Sequence, residues 1–480
     1  MKLKKTWGLV YSALFLASCT AGPDYHQPDM KLDATFHNGP ASQQANEDPV
    51  NTFWTGFNDP VLNQLVEAAL KANPEVKVAM ANLQAVRAQE KGVDAEFWPV
   101  IGVHASPSKS VISQTFMPGD RTDRTHTVYE TGVDMSWEAN LFGRFSRAKE
   151  MAVALTSAEE AGIHAAQVSV TAEIAHNYFQ LRGFQAQFDL AKDTVKNLEA
   201  VLEVAKTRQR LGRSGALEVA QVRALLEGTR ASIPDLAGAI ERTRYHLARL
   251  TGQVPTALDA LLATTQPLPG LPVLGQVGTP ASLLRRRPDV RQAERRLAAA
   301  TANIGVNTSE LFPTVSFTGM LGLNAGRLDA LTNSQAFIYN LGASIVWTAL
   351  DFGRIRSRIE GSKAQANAAL AVYEGTVLTA LEETESALVT FTRSAQQTEH
   401  LFNALKASEE STRITRLKFD AGAADVMMVL DAERLRLADQ AHLSQSQTGT
   451  ATALISVYKA LGGGWSVSGE ATKQHKASLN

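Results

Sequence analysis

AEIAHNYFQLRGFQAQFDLAKDTVKNLEAVLEVAK, residues 172–206, carries the repeat that decides the fold. Ile174, Leu181, Phe188, Val195 and Leu202 recur every seven residues, and Phe184, Ala191, Leu198 and Ala205 fill the interleaved set. An apolar repeat of this period asks for a partner helix along its whole length. The partner follows in the chain. Val219, Leu226, Ile233, Ile240 and Leu247 keep the same spacing, with Val222, Thr229, Leu236, Thr243 and Leu250 between them. The reversal falls at Gly212–Gly215, where a tight helix turn needs positive φ. Outward from this core, the first arm extends from about Leu141 to Leu211, roughly 100 Å at about 1.5 Å per residue. No ordinary globular core is that long. Pro234 stands inside the second arm and is expected to bend or loosen it.

The rest of the chain is built on the same plan twice. Asn73-Pro74-Glu75-Val76 returns as Arg287-Pro288-Asp289-Val290, and Glu96-Phe97-Trp98-Pro99 as Glu310-Leu311-Phe312-Pro313. Leu141-Phe142-Gly143-Arg144 returns as Asp351-Phe352-Gly353-Arg354, and the segments before them carry Trp137 and Trp347. The order of the matches survives as well as the motifs, the mark of an internal duplication. A second helical hairpin accordingly runs from about Phe352 to Leu461 and turns near Ala421-Gly422. Ahead of each hairpin the period changes to two. Ile101, Val103 and Ala105 alternate with Gly102, His104 and Ser106; Tyr129, Thr131, Val133 and Met135 alternate with Glu130 and Asp134. One oily and one wet face predict strands at about 97–108, 128–138, 313–324 and 336–347.

These elements divide the chain as follows. Residues 1–18 form a signal peptide and 19–58 a Pro- and Asn-containing strap. Residues 59–252 hold the first repeat, which opens with a helix running from Asp59-Pro60 to about Glu96. Residues 253–280 are a Pro/Gly-rich crossover, 281–464 the second repeat and 465–480 a polar tail. Lys2, Lys4 and Lys5 precede an apolar run too short to span a bilayer. It ends in Leu16-Ala17-Ser18-Cys19, similar to a bacterial lipobox, in which the Cys takes a lipid. A plain signal peptide with a coincidental Cys is the other reading. Cys19 is the only cysteine, so no disulfide forms within the chain.

A net charge of -1 argues against a nucleic-acid partner, which wants a basic footprint. No His-Glu-x-x-His, Cys/His spacing or Walker loop is present, so neither a metal nor a cofactor is expected. Ser106-Pro107-Ser108-Lys109 fits a Ser-x-x-Lys pattern without companion motifs. The chain reads as no enzyme. After the signal no run of 18 apolar residues occurs, so a membrane could be spanned only by a closed barrel. Four strands cannot close one, since the smallest such barrels use about eight. Identical copies must therefore pool their strands.

On these features the chain resembles an outer-membrane efflux lipoprotein of the TolC/OprM (NodT-type) family. The matching residues include Cys19-Thr20-Ala21-Gly22-Pro23-Asp24-Tyr25, Arg286-Arg287-Pro288-Asp289-Val290, Leu430-Asp431-Ala432-Glu433-Arg434 and Tyr458-Lys459-Ala460-Leu461-Gly462-Gly463-Gly464-Trp465. The resemblance implies a mostly α fold with a membrane β-barrel. A homotrimer would share twelve strands, and the coils would form a periplasmic tunnel. It implies acyl and diacylglyceryl lipid on Cys19 and two partners, a periplasmic adaptor and an inner-membrane pump. The chain would be the exit duct for small molecules such as drugs. Docking would fall at the hairpin tips: Arg210, Leu211, Gly212, Ser214, Gly215, Ala421 and Gly422. A gate would form at Asp431, with Asp425 a second acidic ring, and Phe419 at a position where relatives can carry a gate Tyr. Each Asp is also simply favourable near a helix N-terminus, and the tips could be plain turns. A type I protein-secretion duct, a metal-efflux channel and a lipid-anchored coiled-coil adaptor without a pore are the other readings. Trp137, Trp347 and Tyr339 suit either an interfacial belt or packing where strands meet helices.

Overall fold

The computed structural model describes residues 20–38, 52–113, 115, 124–212, 215–272, 274 and 277–463. Cys19, Ser214 and the 465–480 tail lie outside them. After a short 3-10 turn at Phe53–Phe57 come α1 (Pro60–Ala72), α2 (Pro74–Ala95), β1 (Val100–Val111), β2 (Thr125–Ala139), α3 (Arg144–Arg210) and α4 (Ala216–Leu250). Three short or medium helices follow: α5 (Asp259–Leu262), α6 (Pro280–Arg286) and α7 (Pro288–Ser309). Then come β3 (Thr314–Ala325), β4 (Phe337–Val346), α8 (Arg354–Asp420) and α9 (Val426–Ala460). The duplication is visible in the lengths. α2 and α7 have 22 residues each, α3 and α8 have 67, and α4 and α9 have 35.

The chain forms two compact units. One comprises Met1–Asp29, Asn82–Glu160 and Gln292–Glu374, and the other Met30–Ala81, Ala161–Arg291 and Gly375–Asn480. The first contains the sheet, four antiparallel strands in the order β1-β2-β3-β4. Register places His104 opposite Gly132, Gly132 opposite Gly322, and Gly322 opposite Ile338. Because side chains alternate, one face carries Val103, Val133, Leu321, Tyr339, Leu341 and Ile345. All six of these are exposed. The opposite face carries His104, Glu130, Asp134, Asn324 and Ser344. β1 and β4 are edges within this chain.

Two expectations are corrected here. The first strand begins at Val100, not near Phe97. Glu96 and Trp98 donate backbone N–H groups to Val93 O (3.1 Å) and Ala95 O (3.1 Å), closing turns on the end of α2. The same turns recur at Leu311 and Phe312 before β3. The helix predicted from Asp59 to Glu96 is two helices. Asn73 is extended (ψ 131°), since the residue before a proline is pushed out of the helical region. Its side-chain Oδ1 then accepts from Glu75 N (2.8 Å) and Val76 N (3.3 Å), capping α2. Pro234, by contrast, leaves α4 continuous.

Trp137 Nε1 donates to Phe97 O (3.0 Å) and Trp347 Nε1 to Leu311 O (3.1 Å). Each strand pair is thus tied to the turn that introduces it, which is the junction role for both indoles. Phe142 stacks on Phe312 at 4.7 Å.

In the second unit the α3 heptad is buried at Ile174, Leu181, Ala191, Leu198, Leu202 and Ala205 and half-buried at Phe184, Phe188 and Val195. Ile174 and Leu181 are fully enclosed with Tyr178, Phe179, Leu247, Leu250, Leu454 and the α1 residues Leu62 and Leu65. Trp54 and Phe57 join this core, which fastens the end of the strap.

Candidate functional site: the hairpin tips and the strap

Both hairpin tips belong to the second unit. At the first, Leu211 N donates to Thr207 O (3.1 Å) and Gly212 N to Gln209 O (2.9 Å). Gly212 adopts φ +70°, a conformation that glycine alone takes without strain. Gly215 is extended and precedes α4. Arg210 and Leu211 are exposed. The second tip ends α8 by pairing Gly422 N with Phe419 O (2.9 Å) and Ala423 N with Lys418 O (2.8 Å). Gly422 is at φ +75°, and the paired bonds form a Schellman closure. Ala421 and Gly422 face solvent.

The two tips touch each other. The Arg208 guanidinium carbon lies 4.7 Å from the centre of the Phe419 ring, a cation–π contact. Phenylalanine has no hydroxyl, yet its face still receives a partner from the other hairpin. Below the tip, Leu430 is buried among Leu198, Leu202, Val222 and Leu226, the last heptad layers of α3 and the first of α4. This apolar anchor fixes where its neighbour goes. Asp431 is exposed, and lines an open cleft of about 550 Å³ with Gln221, Leu225, Thr229, Met427 and Arg434. Among the described residues its carboxylate has no hydrogen-bond or ion-pair partner. Asp425 precedes α9 in an extended conformation, its side chain accepting no capping bond.

Sequence reasoning passed over Glu433, which is only 8% exposed. It accepts from Arg416 of α8, and from Arg436 Nε at 3.0 Å. Thr412 Oγ1 adds a bond to Ala432 O at 3.1 Å. α8 and α9 are therefore locked together beside Asp431. The Glu433/Arg436 spacing was readable in the chain, but Arg416 required the register of the hairpin.

The strap is held in each unit separately. In the first, Ala21 N donates to Phe142 O (3.2 Å), and Arg147 donates to Ala21 O (3.0 Å) and Asp24 Oδ1 (2.7 Å). Tyr25 OH donates to Glu294 Oε1 (2.7 Å). A Cβ on Gly143 would lie 2.9 Å from Thr20 Cα, so the residue after Cys19 rests directly on the turn that follows β2. In the second, Phe36 is buried, and Glu385 accepts from His37 N (2.6 Å), Asn38 N (3.0 Å) and Asn38 Nδ2 (2.8 Å). No helix among the described residues is long and apolar enough to cross a membrane, and none of their His, Cys, Asp and Glu groups could hold a metal.

A two-faced open sheet joined in one chain to paired helical hairpins is the build of an outer-membrane channel subunit. The sequence model for "Outer membrane efflux protein" matches residues 65–253 and 279–463, one block for each repeat. The chain belongs to the outer membrane efflux protein family, and its place is the outer membrane. It is 30% identical to the solvent efflux pump outer membrane protein SrpC of Pseudomonas putida, over 96% of this chain and 98% of that one. Among solved structures, the outer-membrane channel OprN is 38% identical with a TM-score of 0.87, covering 93% of this chain and 100% of its own. The open state of the MtrE outer membrane channel of Neisseria gonorrhoeae is 27% identical with a TM-score of 0.84, covering 93% and 98%. The family is one of channels and efflux proteins, not of enzymes.

Proposed function

We propose that this chain is the exit duct of a multicomponent efflux pump, passing small molecules such as drugs or solvents across the outer membrane. The observation that carries the reading is the open sheet. Its apolar face is exposed along its length, and among the described residues neither of its edges has a partner strand. In lipid every backbone polar group must be satisfied, so such a sheet can enter a membrane only by closing with others. Three copies would give twelve strands, within the range of known barrels. A pore-free adaptor would have no use for an oily outer face.

The helical hairpins then form the periplasmic conduit. Their tips, with Gly212, Gly215, Ala421, Gly422 and the exposed Arg210 and Leu211, offer the surface for an adaptor that links the duct to an inner-membrane pump. Ser214 lies outside the described residues. Asp431 and Asp425 would form acidic rings at the closed end. Acyl and diacylglyceryl groups on Cys19 would anchor the strap, a reading supported by Thr20 resting just past the end of β2. Without a motif for bond chemistry, the chain acts by conducting and closing.

Mass measurement in detergent and planar-bilayer recording test the reading together. A trimer that conducts is the expected outcome. A monomeric species, or one that conducts in neither the wild-type nor the Asp431→Ala form, would refute it.

A further inference from the structure

The wet face of the sheet carries a built cluster. His104 on β1 sits between two carboxylates of β2, with Nδ1 at 2.7 Å from Asp134 Oδ2 and Nε2 at 3.4 Å from Glu130 Oε1. The seat is made by glycine. A Cβ on Gly132 would come 3.2 Å from His104 Cε1 and 2.7 Å from Leu321 O, so a larger residue would lift the ring and part the strands. Asn324 Nδ2 donates to Glu130 Oε2 at 2.9 Å and orients that carboxylate.

The proton inventory of this seat is incomplete. A carboxylate only accepts, so the short contact to Asp134 places a proton on Nδ1. In the neutral ring Nε2 is then an acceptor facing another acceptor. It is shut off from solvent and has no hydrogen-bond partner. An imidazolium would satisfy both carboxylates. Without that second proton the buried lone pair faces the Glu130 carboxylate, and the two carboxylates go uncompensated.

Resting on the reading that copies pool their sheets around a conduit, we propose that His104, Glu130 and Asp134 form a cation-selective station on its wall, switched by protonation of His104. Each copy contributes two carboxylates and one imidazole. Its charge passes from one negative to two as the imidazole gives up its proton. Among the described residues the other ionisable groups on this face are His126, four residues before Glu130 on β2, and Glu138, four residues after Asp134 and paired with Arg144 (2.9 Å). β3 presents Met320, Gly322 and Asn324 there, and the inward positions of β4, which would flank β1 in a closed barrel, are Ile338, Asn340, Gly342 and Ser344. Rings of like charge set the ion preference of pores.

The test is the K⁺-to-Cl⁻ permeability ratio, from reversal potentials of the purified protein in planar bilayers at pH 5 and pH 8. The wild-type ratio should rise about twofold or more between them. His104→Gln should abolish that rise, while His126→Gln, at another imidazole on the same face, should keep it. Glu130→Gln and Asp134→Asn should each lower the ratio at pH 8, and if one fails to assemble the other decides. A His104→Gln protein that retains the full pH response, or carboxylate variants with the wild-type ratio, would overturn the station while leaving the duct intact. Failure of both the wild-type and Asp431→Ala proteins to conduct would instead overturn the duct reading on which the station rests.

Discussion

Asp431 and Leu430 are adjacent, yet one is exposed and the other buried in the last heptad layers, so the carboxylate's position is dictated by its neighbour's burial. Replacing it with Ala should leave the fold intact and weaken closure. The expected outcome is a larger resting conductance and greater susceptibility to bulky polar antibiotics in cells carrying Asp431→Ala; unchanged values would remove the gate assignment. The Arg208–Phe419 contact predicts something separate. Phe419→Ala and Arg208→Ala should each increase leak, with a coupling of about 0.5–1 kcal/mol in a double-mutant cycle, and Phe419→Tyr should preserve closure. Purely additive effects would show that the ring and the guanidinium are merely neighbours. The chain's own letters pointed to Asp431, Asp425 and Phe419 through a resemblance. They could not point to Glu433's two arginines or to the His104 seat, because both depend on which residue of one arm or strand faces which residue of another.

At the scale of elements, periodicity was a good guide wherever one face is buried continuously. The heptads of α3 and α4 and the alternation of β2 could be read directly. It misled where a break left the apolar spacing undisturbed. Pro74 fits the first position of a helix, so a pattern running from Leu62 to Val86 concealed the Asn73 interruption. The strap makes a pH prediction. Burial alone would raise the Glu385 pKa, but the Asn38 amide and the backbone N–H groups of His37 and Asn38 outweigh it and hold this carboxyl below its usual range. A depressed folded value adds stability above the unfolded value of about 4.3. That stability is lost as pH falls through the folded value. Acid should therefore release the segment around Phe36. Glu385→Gln, imitating the protonated group at neutral pH, should speed tryptic cleavage after Lys31; an unchanged rate would mean that Phe36 alone secures the strap.

For the whole molecule, the two faces of the sheet make opposite demands. Leu341 and Ser344 are both exposed on β4 and point to opposite sides. If the apolar side meets lipid, Leu341→Lys should cost about 2–4 kcal/mol near the bilayer midplane and reduce the membrane-inserted oligomer, while Ser344→Lys should assemble normally. Equal behaviour of the two would contradict the assignment of faces. The unpaired margins of β1 and β4 carry a kinetic consequence as well. If copies pool their sheets as proposed, the last folding step is a collision, so its rate depends on how many copies are at hand. Refolding into vesicles should slow on dilution even when every helix has already formed. A cell making few copies would accumulate finished coils that wait for company.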